Sequence, residues 1–140
     1  MKRSMMQVYA DGSDKAVALY QKAFDAALVA AFPAEDGTYY HAELDVYGQI
    51  LAVAESHHSL EYPDENGLFP VSFAPGAGRN PGNTMQFGLH FGEGNADKVR
   101  RAYEVLKDGG LVLYPLGPVN YSPCACDLVD RFGVRWCLFE

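Results

Sequence analysis

Four histidines, three cysteines and a set of carboxylates are the residues in this 140-residue chain that could bind a metal, move a proton or attack a substrate. Glu55 closes the apolar run Ile50-Leu51-Ala52-Val53-Ala54, so a strand there would carry a carboxylate to its end, facing a cavity if any residue there does. His90 stands in an alternating stretch, Thr84 to Phe91, and His41 in another, Tyr39 to Val46. Glu55 and His90 are the candidates for acid/base work or ligation. Each has a plainer reading: a strand-end carboxylate can be solvated, and a strand histidine is more often half-buried and hydrogen-bonded than a ligand. Cys124 and Cys126 share a strand face, which is half a zinc site; no second pair completes it, and buried thiols are the better reading. His57-His58 adjoin no further ligand at workable spacing. Ser/His/Asp and Cys/His motifs, a phosphate-cradling Gly-rich loop and a nucleotide-binding βαβ unit are all missing from the sequence.

The elements that must position these groups are bounded by composition. With 49% apolar and 21% charged residues, the chain reads as one soluble globular domain able to bury a core without staples. Nine Tyr and eight Phe favour sheet and a ring-lined pocket. A formal net charge of −7 argues against nucleic acid and anionic membrane as partners. No apolar run approaches a membrane span, and Met1 to Gln7 lacks the apolar stretch of a secretory signal. An odd number of cysteines fits a reducing cytoplasm.

Along the chain, the periodicities predict a strand over Met5–Ala10 and a helix over Asp14–Asp25 with Ser13 as its N-cap. Strands follow at Leu28–Pro33, Tyr39–Val46 and Ile50–Glu55. The Pro/Gly-dense stretch 57–83 reads as a long connection. The pattern then restarts: strand Thr84–Phe91, helix Ala96–Lys107, strand Leu111–Leu116, and a hairpin turning at Asp130-Arg131-Phe132-Gly133. Asp14-Lys15 followed by Tyr20 matches Asp97-Lys98 followed by Tyr103 at a constant 83-residue spacing, so the chain contains a repeat. The expected fold is α+β: two βαβββ modules, 1–56 and 84–140, forming a cupped eight-stranded mixed sheet with helices outside.

This order resembles the vicinal oxygen chelate superfamily (glyoxalase I, bleomycin-resistance proteins and extradiol dioxygenases), and within it the PhnB-like branch labelled demethylubiquinone methyltransferase-like. The resemblance is carried by Ala16-Val17-Ala18-Leu19-Tyr20-Gln21-Lys22-Ala23-Phe24, His41-Ala42-Glu43-Leu44, Lys107-Asp108-Gly109-Gly110 and Asp130-Arg131-Phe132-Gly133-Val134-Arg135-Trp136. Arg131 stands where that branch often has Pro. The resemblance implies one divalent metal (zinc, iron, nickel or manganese) held by the first and last strands of each half, with open positions for neighbouring substrate oxygens. Carried over by element, its ligands are Gln7, Glu55, His90 (or Gln86) and Cys137, and the 83-residue spacing sets Gln7 opposite His90. Tyr9, His41, Gln86 and Trp136 are the expected pocket residues. Two functions follow: a metal-assisted enzyme acting on a small oxygen-bearing metabolite, or a non-catalytic binder that sequesters an aromatic or amphipathic molecule. Homodimerisation is implied by the same resemblance.

Overall fold

The computed structural model describes residues 3–56 and 85–140, so the connection expected at 57–83 and His57-His58 lie outside the described residues. The element order is β1 (Met6–Ala10), α1 (Ser13–Phe24), β2 (Ala27–Pro33), β3 (Tyr39–Val46), β4 (Gln49–Glu55), β5 (Phe87–His90), α2 (Ala96–Leu106), β6 (Leu111–Val119), β7 (Ser122–Val129) and β8 (Arg135–Phe139). Two four-stranded mixed sheets result, ordered β1-β4-β3-β2 and β5-β8-β7-β6. In each, the first strand runs parallel to the last, which requires a crossover, and the helix supplies it.

Period-two alternation decides what each sheet shows to its helix. In β1, Val8 and Ala10 are buried while Gln7 and Tyr9 point to the opposite face. Leu51 and Val53 of β4, with Leu44 of β3, continue the buried side, and α1 covers it with Ala16, Val17, Tyr20, Ala23 and Phe24. The second half repeats this with Leu128, Trp136 and Leu138 beneath Val99, Ala102 and Leu106 of α2. Tyr20 and Phe24 of α1 reach across to Trp136, with ring centroids 5.6 and 5.1 Å apart, so the two halves share one core.

Ser13 does not cap α1 with its side chain. Its Oγ accepts the Tyr39 amide at 2.8 Å, and the orphan amides of the first turn are met from elsewhere. The β3–β4 hairpin turns at Tyr47 and Gly48, with φ values of 52° and 86°. That pair of positive φ values is the tight-hairpin requirement. β6 runs through Gly117-Pro118 instead of stopping at Leu116, because register shifts at Tyr114 and Gly117 absorb the proline. β5 is shorter than the predicted Thr84–Phe91. Gly109 takes a φ of 72°, and at Gly110 a Cβ would lie 2.4 Å from the Val129 carbonyl oxygen, so the Gly-Gly after α2 has a separate reason at each position.

Candidate functional site

Each sheet leaves one face uncovered by its helix, and register fixes what stands on it. On the first sheet, Gln7, Ala52, Glu43 and Ala30 form one row across β1, β4, β3 and β2. On the second, the corresponding row is Gly88, Cys137, Asp127 and Tyr114. Each row holds a carboxylate on its third strand, and each carboxylate holds an arginine in a two-pronged pair. Arg3 donates to Glu43 at 2.9 and 2.6 Å; Arg135 donates to Asp127 at 3.1 and 2.8 Å. Glu43 is 8% exposed and also lies 3.0 Å from His41 Nε2. The hydrogen bonds from Arg3, then that from His41, pull its carboxyl down to about 2. Phe32 stands beside His41, with ring centroids 6.2 Å apart. Glu43 is absent from the candidates that the sequence offers, although it lies two residues from His41 and strand alternation puts both on one face.

Between the inner edges of the two sheets lies a cleft with two cavities that share Met5 and Met6 in their walls. One, of about 580 Å³, is closed by Val46, Tyr47 and Ile50 of the β3–β4 hairpin and by Leu89, His90 and Phe91. The other, of about 390 Å³, is lined by Gln7, Tyr9, Gln86 and Phe87 and by Phe132 to Arg135 of the β7–β8 hairpin. Tyr47 meets Phe91 edge-on at 5.5 Å, and the Lys98 ammonium lies 4.7 Å from the Tyr47 ring centroid. A third cavity, of about 460 Å³, opens on the second sheet beside Tyr114, Tyr121, Asp127 and Cys137. The Cys137 sulfur, followed by burial, raises the Tyr121 hydroxyl above its ordinary value.

The sequence-predicted residues therefore divide. Gln7, Tyr9 and Gln86 meet in one cavity, His90 lines the other, Cys137 lines the third, and His41 stands by Glu43. Trp136 is fully buried on the helix side, donating from Nε1 to Asp130 at 2.9 Å, and is a core residue rather than a pocket wall. Glu55 pairs with Ala10 in register and so faces α1, not a cavity. Its carboxylate accepts the amides of Gly12 (3.0 Å), Ser13 (2.7 Å) and Ser56 (3.0 Å). Burial alone would raise Glu55, but these bonds outweigh it and its carboxyl sits below the ordinary value. It is the cap that Ser13 was expected to be. Glu140 has the matching place at the end of the second sheet, accepting the Gly94 amide ahead of α2.

The pairing of Gln7 with His90 also changes. By register, Gln7 corresponds to Gly88 and Tyr9 to His90, because the link from β5 to α2 is longer than that from β1 to α1. The 83-residue spacing holds for the helices and fails for these strands.

These positions do not suit the metal that the sequence resemblance implied. Glu55 is on the wrong face, and Gln7, His90 and Cys137 line three different cavities. Among the described residues, no three His, Cys, Asp or Glu side chains converge as a cation site.

A family model described as Glyoxalase/Bleomycin resistance protein/Dioxygenase superfamily matches residues 4–138. The chain belongs to this superfamily. Solved structures similar to it include protein PA1353 from Pseudomonas aeruginosa, at 21% identity and TM-score 0.71, covering 99% of this chain and 97% of that one. The PhnB protein of Bacillus cereus, described as a putative 3-demethylubiquinone-9 3-methyltransferase, is 18% identical at TM-score 0.68, covering 99% and 98%. A mutant of the fosfomycin resistance protein FosX from Listeria monocytogenes, complexed with Mn(II) and a dihydroxypropylphosphonic acid, is 12% identical at TM-score 0.58, covering 98% and 87%. No curated protein sequence matches the chain. At these identities the superfamily members share the fold with this chain, and chemistry has to be argued from its own residues.

Proposed function

We propose that this superfamily member is a non-catalytic small-molecule binding or sequestering protein whose ligand, an aromatic or amphipathic molecule, lies in the cleft between β1 and β5. The observation that carries this reading is the cleft itself. Cavities of about 580 and 390 Å³ meet at Met5 and Met6, walled by the rings of Tyr9, Phe87, Phe91 and Phe132, with Gln49, His90, Lys98, Gln86 and Arg135 as polar groups of the same lining, the mixture that suits an amphipathic ligand. The carboxylate that would anchor a metal-assisted enzyme is meanwhile fixed at the start of α1.

Titration of tag-free protein with an apolar fluorescent dye tests the proposal, with metal analysis on the same preparation. Saturable dye binding, weakened about tenfold or more by Met6→Asp, supports the binder. Stoichiometric zinc, iron, nickel or manganese in that preparation would replace it with the metal-assisted enzyme.

The edge strands favour a homodimer. Val29 of β2 is 53% exposed and Leu113 of β6 is 46% exposed, in equivalent places of the two halves. Light scattering on the eluting protein, with Val29→Asp as the disrupting variant, tests this.

A further inference from the structure

We propose that Glu43 and His41, on the face of the first sheet turned away from α1, form a binding site for a small molecule bearing a guanidinium or amidinium group, and that Arg3 is its internal occupant. This goes beyond the cleft reading, since Glu43 lines none of the three cavities described.

The comparison of the two sheets carries the argument. Asp127 is neutralised from within its own sheet, by Arg135 on the neighbouring strand. The place equivalent to Arg135 in the first sheet is Ile50, so Glu43 has no cationic partner there. A nearly buried carboxylate without a cation is costly, and the chain meets the need with Arg3, which lies ahead of β1 outside regular secondary structure. Half of the Arg3 side chain remains exposed while the Glu43 side chain is almost enclosed, so the carboxylate belongs to the floor and the guanidinium has come to it from outside.

The geometry specifies the class of cation. Two parallel N–H···O bonds to the two carboxylate oxygens suit a planar fork and not a point-charge ammonium. His41 Nε2 holds Oε1 at 3.0 Å and steers the carboxylate, and the Phe32 ring stands beside His41. A net charge of −7 draws cations toward the surface. An external guanidinium or amidinium would reproduce both bonds, and Arg3 competes with it only as a tethered group, at an effective concentration on the order of millimolar.

Calorimetric titration with benzamidine of wild type, Arg3→Ala, and Arg3→Ala combined with Glu43→Gln tests the site. Arg3→Ala is expected to bind benzamidine about tenfold or more tightly than wild type, in line with removal of a tethered competitor. The double variant is expected to lose that advantage, and butylamine and benzoate to bind weakly or not at all. Equal affinity in wild type and Arg3→Ala, or tight binding that persists in the double variant, overturns the proposal. Should Arg3→Ala fail to fold, Arg3→Gln supplies the same comparison. In the wild type, millimolar benzamidine should also shift the His41 ring resonances, and unmoved resonances count against the site. Dye binding at the cleft, read on the same variants, separates failure of this site from failure of the cleft reading.

Discussion

Asp130 and Trp136 are joined inside the core: the indole N–H donates to Oδ2 at 2.9 Å, and the Tyr20 hydroxyl from the other half donates to the same oxygen at 2.9 Å. The second carboxylate oxygen, Oδ1, accepts the Phe132 and Val134 amides at 2.9 and 3.1 Å, so one side chain shapes the hairpin turn and ties it to α1. Asp130→Ala would leave four donors unmet, two of them fully buried, and is expected to cost about 3 kcal/mol or more, measured by urea denaturation. Phe132→Ala, at a partly buried ring of the same turn, should cost less. Equal costs would refute the central role given to Asp130.

Glu55 is an N-terminal anchor for α1, placed by strand register instead of by sequence proximity. Glu55→Gln is expected to lower stability by about 1–2 kcal/mol, the scale of a lost cap with its dipole interaction. Dye binding in the cleft should be unchanged. A Glu55→Gln protein of wild-type stability would contradict the capping geometry.

Acid should act on Glu43 and Asp130 in opposite senses. Glu43 titrates near 2 when folded, below the ordinary 4.5, so its pair with Arg3 contributes fully above the ordinary value and that contribution disappears as pH falls through about 2. Burial raises Asp130 above its usual 3.8 despite its hydrogen bonds, so its contribution is complete below that value and declines as pH rises through the folded one. The stability difference between wild type and Glu43→Gln should therefore shrink toward pH 2, while that between wild type and Asp130→Asn should grow on acidification. Denaturation midpoints across this range check both signs.

The thiols should label in a fixed order. Cys124 and Cys126 are buried, and burial, followed by the neighbouring Cys137, pushes Cys126 up to about 12, whereas Cys137 is partly exposed beside Tyr121. Iodoacetamide at neutral pH is expected to modify Cys137 first and the other two only on unfolding, as read by peptide mass spectrometry. Early labelling of Cys126 would place it outside the core.

The fold was legible because alternation and helical spacing repeat twice, and because Asp130-Arg131-Phe132-Gly133 spells its turn. The site was less so, for reasons that can be named. Glu55 looked cavity-facing from its place at a strand end, but a slip of one residue reverses a strand side chain, and the parallel pairing with β1 turns it toward α1. Ser13 looked like a cap, and no local pattern could disclose that a residue 42 positions away takes that role. Glu43 was hidden because its decisive partner, Arg3, comes from 40 positions earlier.

The paired rows of the two sheets also carry a record of how the halves diverged. Gly88 follows Gln7 by 81 residues, Ala96 follows Ser13 by 83, Asp127 follows Glu43 by 84, and Cys137 follows Ala52 by 85. Tyr114 follows Ala30 by 84 as well, so the offset rises at three junctions and holds between the second and third strands of each half. The second half is therefore the longer one at those three junctions. An alignment that imposes one fixed offset on this duplication would mispair the functional rows while matching the helices, and a sound one must let the offset step upward at the loops.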